Sequence, residues 1–376
     1  VIRQERLAWA YLSRVAEPPC PPLAELVHAV GVVEAADRVR RGAVPPEVLS
    51  RVEARQEMDC AAEDLEILDR RGGRLITPDD DEWPDFAMLA FTTERPGTTR
   101  RAEDHPPLVL WAVGPATAAQ VAYRAVAVVG TRACTTYGEQ VAADLTAGLV
   151  ERDVAVVSGG AYGIDGAAHR AALACEGVTV AVLAGGVDVP YPAGHSALLH
   201  RVATHGLMLS EYPPGVRPAR YRFLTRNRLV AGLSGATVVV EAGLRSGAAN
   251  TAAWARTLGR TVCVVPGPVT SAASAGCHQL LRSNPAAVLV TRADEIVEEM
   301  GRMGELAEEP EHPATALDAL TPVQQRVYEA LPGRGARTLE EVAAGAGVAV
   351  PQVMGQLALL ELEGLVRRDD GRWRLA

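Results

Sequence analysis

The chain has 376 residues, of which 48% are hydrophobic and 22% charged, and its formal net charge is −9. That length calls for two or three domains, and the composition is that of core-forming chains, not disordered ones. The negative balance excludes a generic polyanion binder and confines any nucleic-acid site to a local patch.

Residues 1–75 predict a helical domain. Leu7, Ala8, Tyr11, Leu12 and Val15 share one helix face. Pro18, Pro19, Pro21 and Pro22 interrupt it, and Leu23, Leu26, Val27 and Val30 restart the period before Gly31. A third helix is predicted over Pro46–Arg71, ending at Gly72-Gly73. Residues 76–115 read as irregular, with a mobile loop over Thr92–His105.

From 125 to about 300 short Val-rich runs alternate with helical stretches. The runs are Ala125–Val129, Val154–Val157, Val178–Leu183, Leu207–Leu209, Thr237–Val240, Thr261–Val265 and Ala287–Val290. They are apolar on both faces, as strands of a covered parallel sheet are, so residues 76–300 predict a doubly wound α/β domain. Residues 301–316 are acidic and proline-containing and read as a linker. Within 317–376, helical segments at Pro322–Leu331, Leu339–Ala346 and Pro351–Gly364 precede an alternating tail that turns at Asp370-Gly371. Three helices and a hairpin are the layout of a winged helix.

The residue inventory narrows the chemistry. All 37 basic residues are arginine, which excludes a Walker A loop, a lysine Schiff base and lysine-anchored pyridoxal phosphate. The six cysteines form no C-x-x-C pair, which argues against a zinc knuckle or a redox dithiol. With no secretory signal and no apolar run of about 18 residues, the expectation is a cytoplasmic chain with reduced thiols and no membrane span.

In an open parallel sheet, ligands bind beyond the carboxyl ends of the strands. The first run leads into Gly130-Thr131-Arg132, the second into Ser158-Gly159-Gly160 and the fifth into Glu241-Ala242 and Ser246-Gly247. Ser158–Gly160 and Ser246-Gly247 have the composition of phosphate seats at helix N-termini, although glycine also serves such turns sterically. G-x-G-x-x-G is absent after the first run, which weighs against an NAD enzyme. Arg217, Arg220, Arg222, Arg226 and Arg228 fall within residues 215–230, which hold no acidic residue, with Tyr221 and Phe223 interleaved. Arginine forks grip phosphate and aromatic rings stack on bases, so the segment is a candidate polyanion site. A solvated basic helix face is the plainer reading.

Asp165 and His169, four apart, could pair as acid and base or bind a metal; helix capping and packing account for them more simply. Glu241 is placed to orient the arginines. No set of residues has metal-ligand spacing, and no cofactor is expected.

Val128-Val129-Gly130-Thr131-Arg132, Tyr137-Gly138, Ser158 through Asp165 with Ala168-His169, Tyr191-Pro192, Ser210 through Gly215, Arg226-Asn227-Arg228, Glu241-Ala242 with Ser246-Gly247, and Pro266-Gly267 follow one another in order. Together they resemble the DNA-processing protein A (DprA, or Smf) family over about residues 120–290. The resemblance implies an extended Rossmann-like domain between a sterile-alpha-motif-like or helix-hairpin-helix-like N-terminal domain and a C-terminal winged helix. It implies a non-enzymatic single-stranded DNA binder that dimerises through the Rossmann-like domain. Such a protein protects incoming strands in natural transformation and promotes RecA loading. Carried over, the implied DNA-binding residues are Gly130, Thr131 and Arg132, Arg220, the stacking Phe223, and Arg226, Asn227 and Arg228. Leu224 stands where the family commonly has proline, and Ala248 where it has a small hydroxyl residue. The third helix of the winged-helix segment carries Glu361 and Glu363 and no arginine, which favours protein contact over duplex reading. The competing reading is a Rossmann-like phosphoribohydrolase, whose Pro-Gly-Gly-x-Gly-Thr-x-x-Glu motif is missing.

Overall fold

A computed structural model describes residues 3–92, 104–301, 317 and 319–376. The chain divides into two compact units, Val1–Ala307 and Glu308–Ala376.

The first unit begins with five helices, α1 (Arg3–Val15), α2 (Pro21–Val30), α3 (Val32–Arg40), α4 (Pro46–Val52) and α5 (Ala61–Asp69). Proline opens α2 and α4, where its missing N–H costs nothing. The helix predicted over Pro46–Arg71 is therefore two, and α3 starts where the second helix was expected to end.

Strand β1 (Gly73–Ile76), α6 (Asp85–Thr92), β2 (Leu110–Val113) and α7 (Ala118–Tyr123) follow. The alternating part comprises β3 (Ala125–Val129), α8 (Thr136–Val150), β4 (Ala155–Ser158), α9 (Ile164–Ala174), β5 (Thr179–Leu183), α10 (Ser196–His205) and β6 (Leu207–Ser210). It continues with α11 (Arg220–Gly232), β7 (Ala236–Val239), α12 (Gly247–Thr257), β8 (Thr261–Val264), α13 (Ala275–Ser283), β9 (Ala287–Leu289) and α14 (Ala293–Met300).

The sheet order is β1-β2-β6-β5-β4-β3-β7-β8-β9. The strands from β6 to β9 in this order run parallel, while β1 pairs with β2, and β2 with β6, antiparallel. All seven predicted runs are strands to within about one residue. Each of the five residues of β3 is buried. Val126 and Val128 enter one core, and Ala125, Ala127 and Val129 the other, the period of two that a sheet covered on both faces requires. This is an extended Rossmann-like fold.

The antiparallel extension corrects the reading of residues 76–115 as irregular. β1 and β2 are four residues each and pair in the register Gly73↔Val113 to Ile76↔Leu110. Trp111 and Val113 of β2 join one core with Trp9, Tyr11 and Leu12 of α1. The N-terminal helices thus share a core with the sheet edge, and the boundary expected at residue 75 falls inside one packed unit. Most of Thr92–His105 and of the 301–316 linker lies outside the described residues.

The second unit holds α15 (Pro322–Glu329), α16 (Leu339–Ala346), α17 (Val350–Leu362), β10 (Val366–Asp369) and β11 (Arg372–Leu375). Thr321 with Gln324 and Thr338 with Glu341 form capping boxes, each satisfying two orphan N–H groups. Asp370 and Gly371, both with positive φ, close the β10–β11 hairpin. This is the predicted winged helix. No single helix among the described residues is long and apolar enough to cross a membrane.

Candidate nucleic-acid interface

Chain order runs from β3 outward to β6, then returns to β7 beside β3. The β3–β7 junction is therefore the topological switch point, where such sheets bind ligands. An open crevice of about 810 Å³ lies there, lined from the β3, β4 and β7 loops, one side of α11, the N-terminal part of α12, and Tyr191. Gly130, Thr131, Arg132, Gly159, Arg220, Phe223, Arg226, Asn227, Ser246 and Gly247 all line it. Ser158, Gly160 and Arg228 do not.

The glycines earn their places mainly by packing. A side chain on Gly130 would overlap Ile164 and the Glu241 carbonyl, and one on Gly159 would overlap the Arg226 guanidinium. Gly160 has φ +70, a turn conformation that favours glycine. Ser158 is fully buried and its hydroxyl donates to the Val128 carbonyl at 2.7 Å. Ser158–Gly160 is thus a structural turn that seats Arg226, not the phosphate seat expected. Gly247 differs. It opens α12, and nothing lies within 4 Å of where its Cβ would be. The Ser246 hydroxyl caps the helix by accepting from Ala249 N–H, and the first N–H groups of such a helix favour an anion.

The five arginines of residues 215–230 separate into two sets. Arg217 and Arg220 are exposed and make no ion pair among the described residues. Arg222 forks onto Glu17. Arg226 is buried, and Nη1 donates to the carbonyls of Gly159, at 2.6 Å, and Val182. Burial pulls its guanidinium down to about 10, which Asp165 opposes, so it stays charged at neutral pH on the crevice wall. Arg228 is fully buried, paired with Glu211 and donating to the His105 carbonyl at 2.8 Å. Its implied role in DNA contact is not compatible with that placement. Asn227 donates to Asn250 Oδ1 at 3.1 Å, tying α11 to α12.

Two crevice residues were given no binding role by the sequence reading: Arg245, which it did not name, and Tyr191, which it named only within the motif series. Arg245 is exposed on the β7–α12 loop, again with no ion pair among the described residues. Its signal was its position beside Ser246. Tyr191 is 47% exposed and stacks tilted on Phe223 at 5.4 Å between centroids. The Arg132 guanidinium lies over the Phe223 ring at 5.2 Å. Arg132, Arg220 and Arg245 therefore present unneutralised charge around a two-ring aromatic platform.

The groups weighed for chemistry do structural work. Glu241 is buried and accepts from Thr135 N–H at 2.9 Å and Thr135 Oγ1 at 2.6 Å, so it fixes the start of α8 and does not orient the arginines. Asp165 Oδ2 accepts from Gly159 and Ala161 N–H at 3.1 and 3.3 Å, closing the β4–α9 loop. Burial raises its carboxyl, which Arg226 and those amides oppose. Thr179 Oγ1 donates to the Val156 carbonyl, so it accepts from His169 Nδ1–H at 2.8 Å. No group of three or more His, Cys, Asp or Glu that could hold a metal occurs among the described residues, and the six cysteines are free thiols.

Burial holds His169 down to about 3 from the usual 6.5, with His195 and Arg226 adding to the effect. The folded chain then binds fewer protons there than the unfolded chain. Its contribution to stability is complete above about pH 6.5 and falls below it by about 1.4 kcal/mol per pH unit. Asparagine at 169 keeps a donor for Thr179 and removes the titration. Urea midpoints at pH 7, 6 and 5 are expected to fall less steeply for His169→Asn; equal steepness would place the titration elsewhere.

Comparison with known proteins completes the picture. Residues 74–301 match the family model described as DNA recombination-mediator protein A, and residues 311–372 that of the DprA winged helix domain. The putative DNA processing protein DprA of Mycobacterium tuberculosis is 68% identical over 98% of this chain and 94% of its own length. The X-ray structure of DNA processing protein A from Streptococcus pneumoniae has a TM-score of 0.63 at 28% identity, covering 80% of this chain and 99% of that one. DNA processing protein A from Helicobacter pylori, described for its single-stranded DNA binding mode, has a TM-score of 0.50 at 26% identity over 60% of this chain and 94% of its own. In fold, in motif order and in sequence along nearly its whole length, the chain belongs to the DprA family of DNA-processing proteins.

Proposed function

We propose that the chain is a non-enzymatic single-stranded DNA-binding recombination mediator whose site is the crevice at the β3–β7 junction. One observation carries the reading. Arg132, Arg220 and Arg245, without ion-pair partners among the described residues, ring Phe223 and Tyr191 beside the N-terminus of α12. Arginine forks with stacking rings suit a single strand, whose bases are free to splay onto aromatics. Paired bases in a duplex would have to unstack first. The Helicobacter pylori relative supports the choice.

Family membership supports the rest of the proposal: protection of incoming strands in natural transformation, RecA recombinase as partner, and a homodimer through the Rossmann-like domain. Nuclease protection of a coated oligonucleotide, RecA nucleation on strands covered by a single-strand-binding protein, and sedimentation equilibrium test these in turn. A monomer that neither shields DNA nor speeds nucleation would refute them.

The direct test is fluorescence anisotropy of labelled single-stranded and duplex oligonucleotides across a salt series. Single strands are expected to bind tighter, with log K falling linearly in log salt. Arg132→Ala, Arg220→Ala and Arg245→Ala should each flatten that slope by about 0.7, one phosphate's worth on a single strand. Duplex preference, or three unchanged slopes, would reject the site.

A further inference from the structure

Arg222 is the arginine of the first turn of α11 that does not reach the crevice, and its partner lies in the N-terminal helices. Glu17, between α1 and α2, accepts four hydrogen bonds. Oε1 takes Arg222 Nε at 2.6 Å and the Tyr221 hydroxyl at 3.0 Å. Oε2 takes Arg222 Nη2 at 2.9 Å and Arg55 Nη2 at 2.7 Å. That fills the acceptor sites of a carboxylate. The remaining nitrogen of the fork, Arg222 Nη1, donates to the Arg217 carbonyl at 2.7 Å, and the guanidinium lies over the Tyr212 ring at 4.9 Å. One carboxylate thus fixes both the loop that bears Arg217 and the helical turn that bears Arg220 and Phe223. A second N-terminal side chain holds the start of the same segment: Arg14, paired with Asp64, donates to the Pro214 carbonyl at 2.7 Å. The Arg222 and Glu17 side chains are 12% and 29% exposed, so solvent screens the pair less than a surface pair.

We propose that Glu17 is a positioning residue for single-strand binding, which acts through Arg222 so that the N-terminal helices set the placement of Arg220 and Phe223 in the crevice. The inference rests on reading that crevice as the single-strand site. Its sign separates it from plain electrostatics. Removing a negative charge near a polyanion site strengthens binding by charge alone, whereas removing a positioning group weakens it.

Glu17→Gln in the full chain, assayed by anisotropy with a labelled oligo-dT, is expected to weaken binding about tenfold, with the circular dichroism of the wild type. Arg55→Gln, which leaves the Glu17–Arg222 fork in place, should stay within twofold of wild type. Should Glu17→Gln fail to fold, Glu17→Asp keeps the charge, shortens the reach and is expected to weaken binding likewise. In an Arg220→Ala/Phe223→Ala background at low salt, Glu17→Gln should cost less than twofold. Unchanged or tighter binding by Glu17→Gln would overturn the inference. So would an equal loss in Arg55→Gln, or the full tenfold loss in the double-variant background. If Arg220→Ala/Phe223→Ala itself binds like wild type, the crevice reading falls and this inference with it.

Discussion

Phe223→Ala is expected to lower affinity for single-stranded DNA by about 1–3 kcal/mol, roughly 5- to 150-fold, while leaving the fold intact. The ring is half-buried at the crevice, not in the core, so truncation opens no internal cavity. Two losses add up. A base loses its stacking surface beside Tyr191, and Arg132 loses the ring over which its guanidinium is held at 5.2 Å. Because no charge is removed, the salt slope should stay that of wild type, which separates Phe223→Ala from the arginine variants. Phe223→Tyr, which keeps the π-face, should restore most of the affinity. Wild-type affinity in Phe223→Ala, or a tyrosine variant as weak as alanine, would remove stacking from the mechanism.

The parallel strands were legible because each is a short run apolar on both faces, a pattern that only a covered sheet explains. The crevice followed from the strand ends. What stayed illegible depends on distant partners. Five arginines within residues 215–230 look alike in sequence, yet Arg222 finds its acid 205 residues away and Arg228 finds one 17 residues back. Nothing local separates these two from Arg220, which points to solvent. The same holds for Ser158 and Glu241: small and acidic residues after strands suit a ligand site, but here their acceptors and donors are backbone and helix-start groups across the sheet. β1 and β2 were missed because their pairing closes over an intervening helix, with no tight turn and no strand–helix alternation to announce it. Arg245 was passed over because a single arginine in a loop carries no pattern.

Arg228→Ala is expected to destabilise the first unit by about 3–5 kcal/mol, since it leaves Glu211 buried without its counter-charge. The two side chains are 0% and 2% exposed. Arg228 also donates to the His105 carbonyl and lies under the Phe91 ring at 5.5 Å, so its removal costs packing as well as charge. A shift of this size should lower the urea midpoint visibly, since the linear relation converts it directly. Burial raises the Glu211 carboxyl, and Arg228 is the main force that opposes this. Without the arginine the folded-state pKa rises further above the usual 4.5, and a carboxyl with a raised folded pKa gains stability as pH falls. The gap between Arg228→Ala and wild type should therefore narrow in acidic buffer. Replacing both partners, as in Arg228→Met/Glu211→Leu, should recover most of the loss, because an apolar pair needs no counter-charge. Folded Arg228→Ala, examined at low temperature, should still bind single strands near wild-type strength. A variant as stable as wild type but unable to bind would return Arg228 to the interface and the buried pair to a minor role.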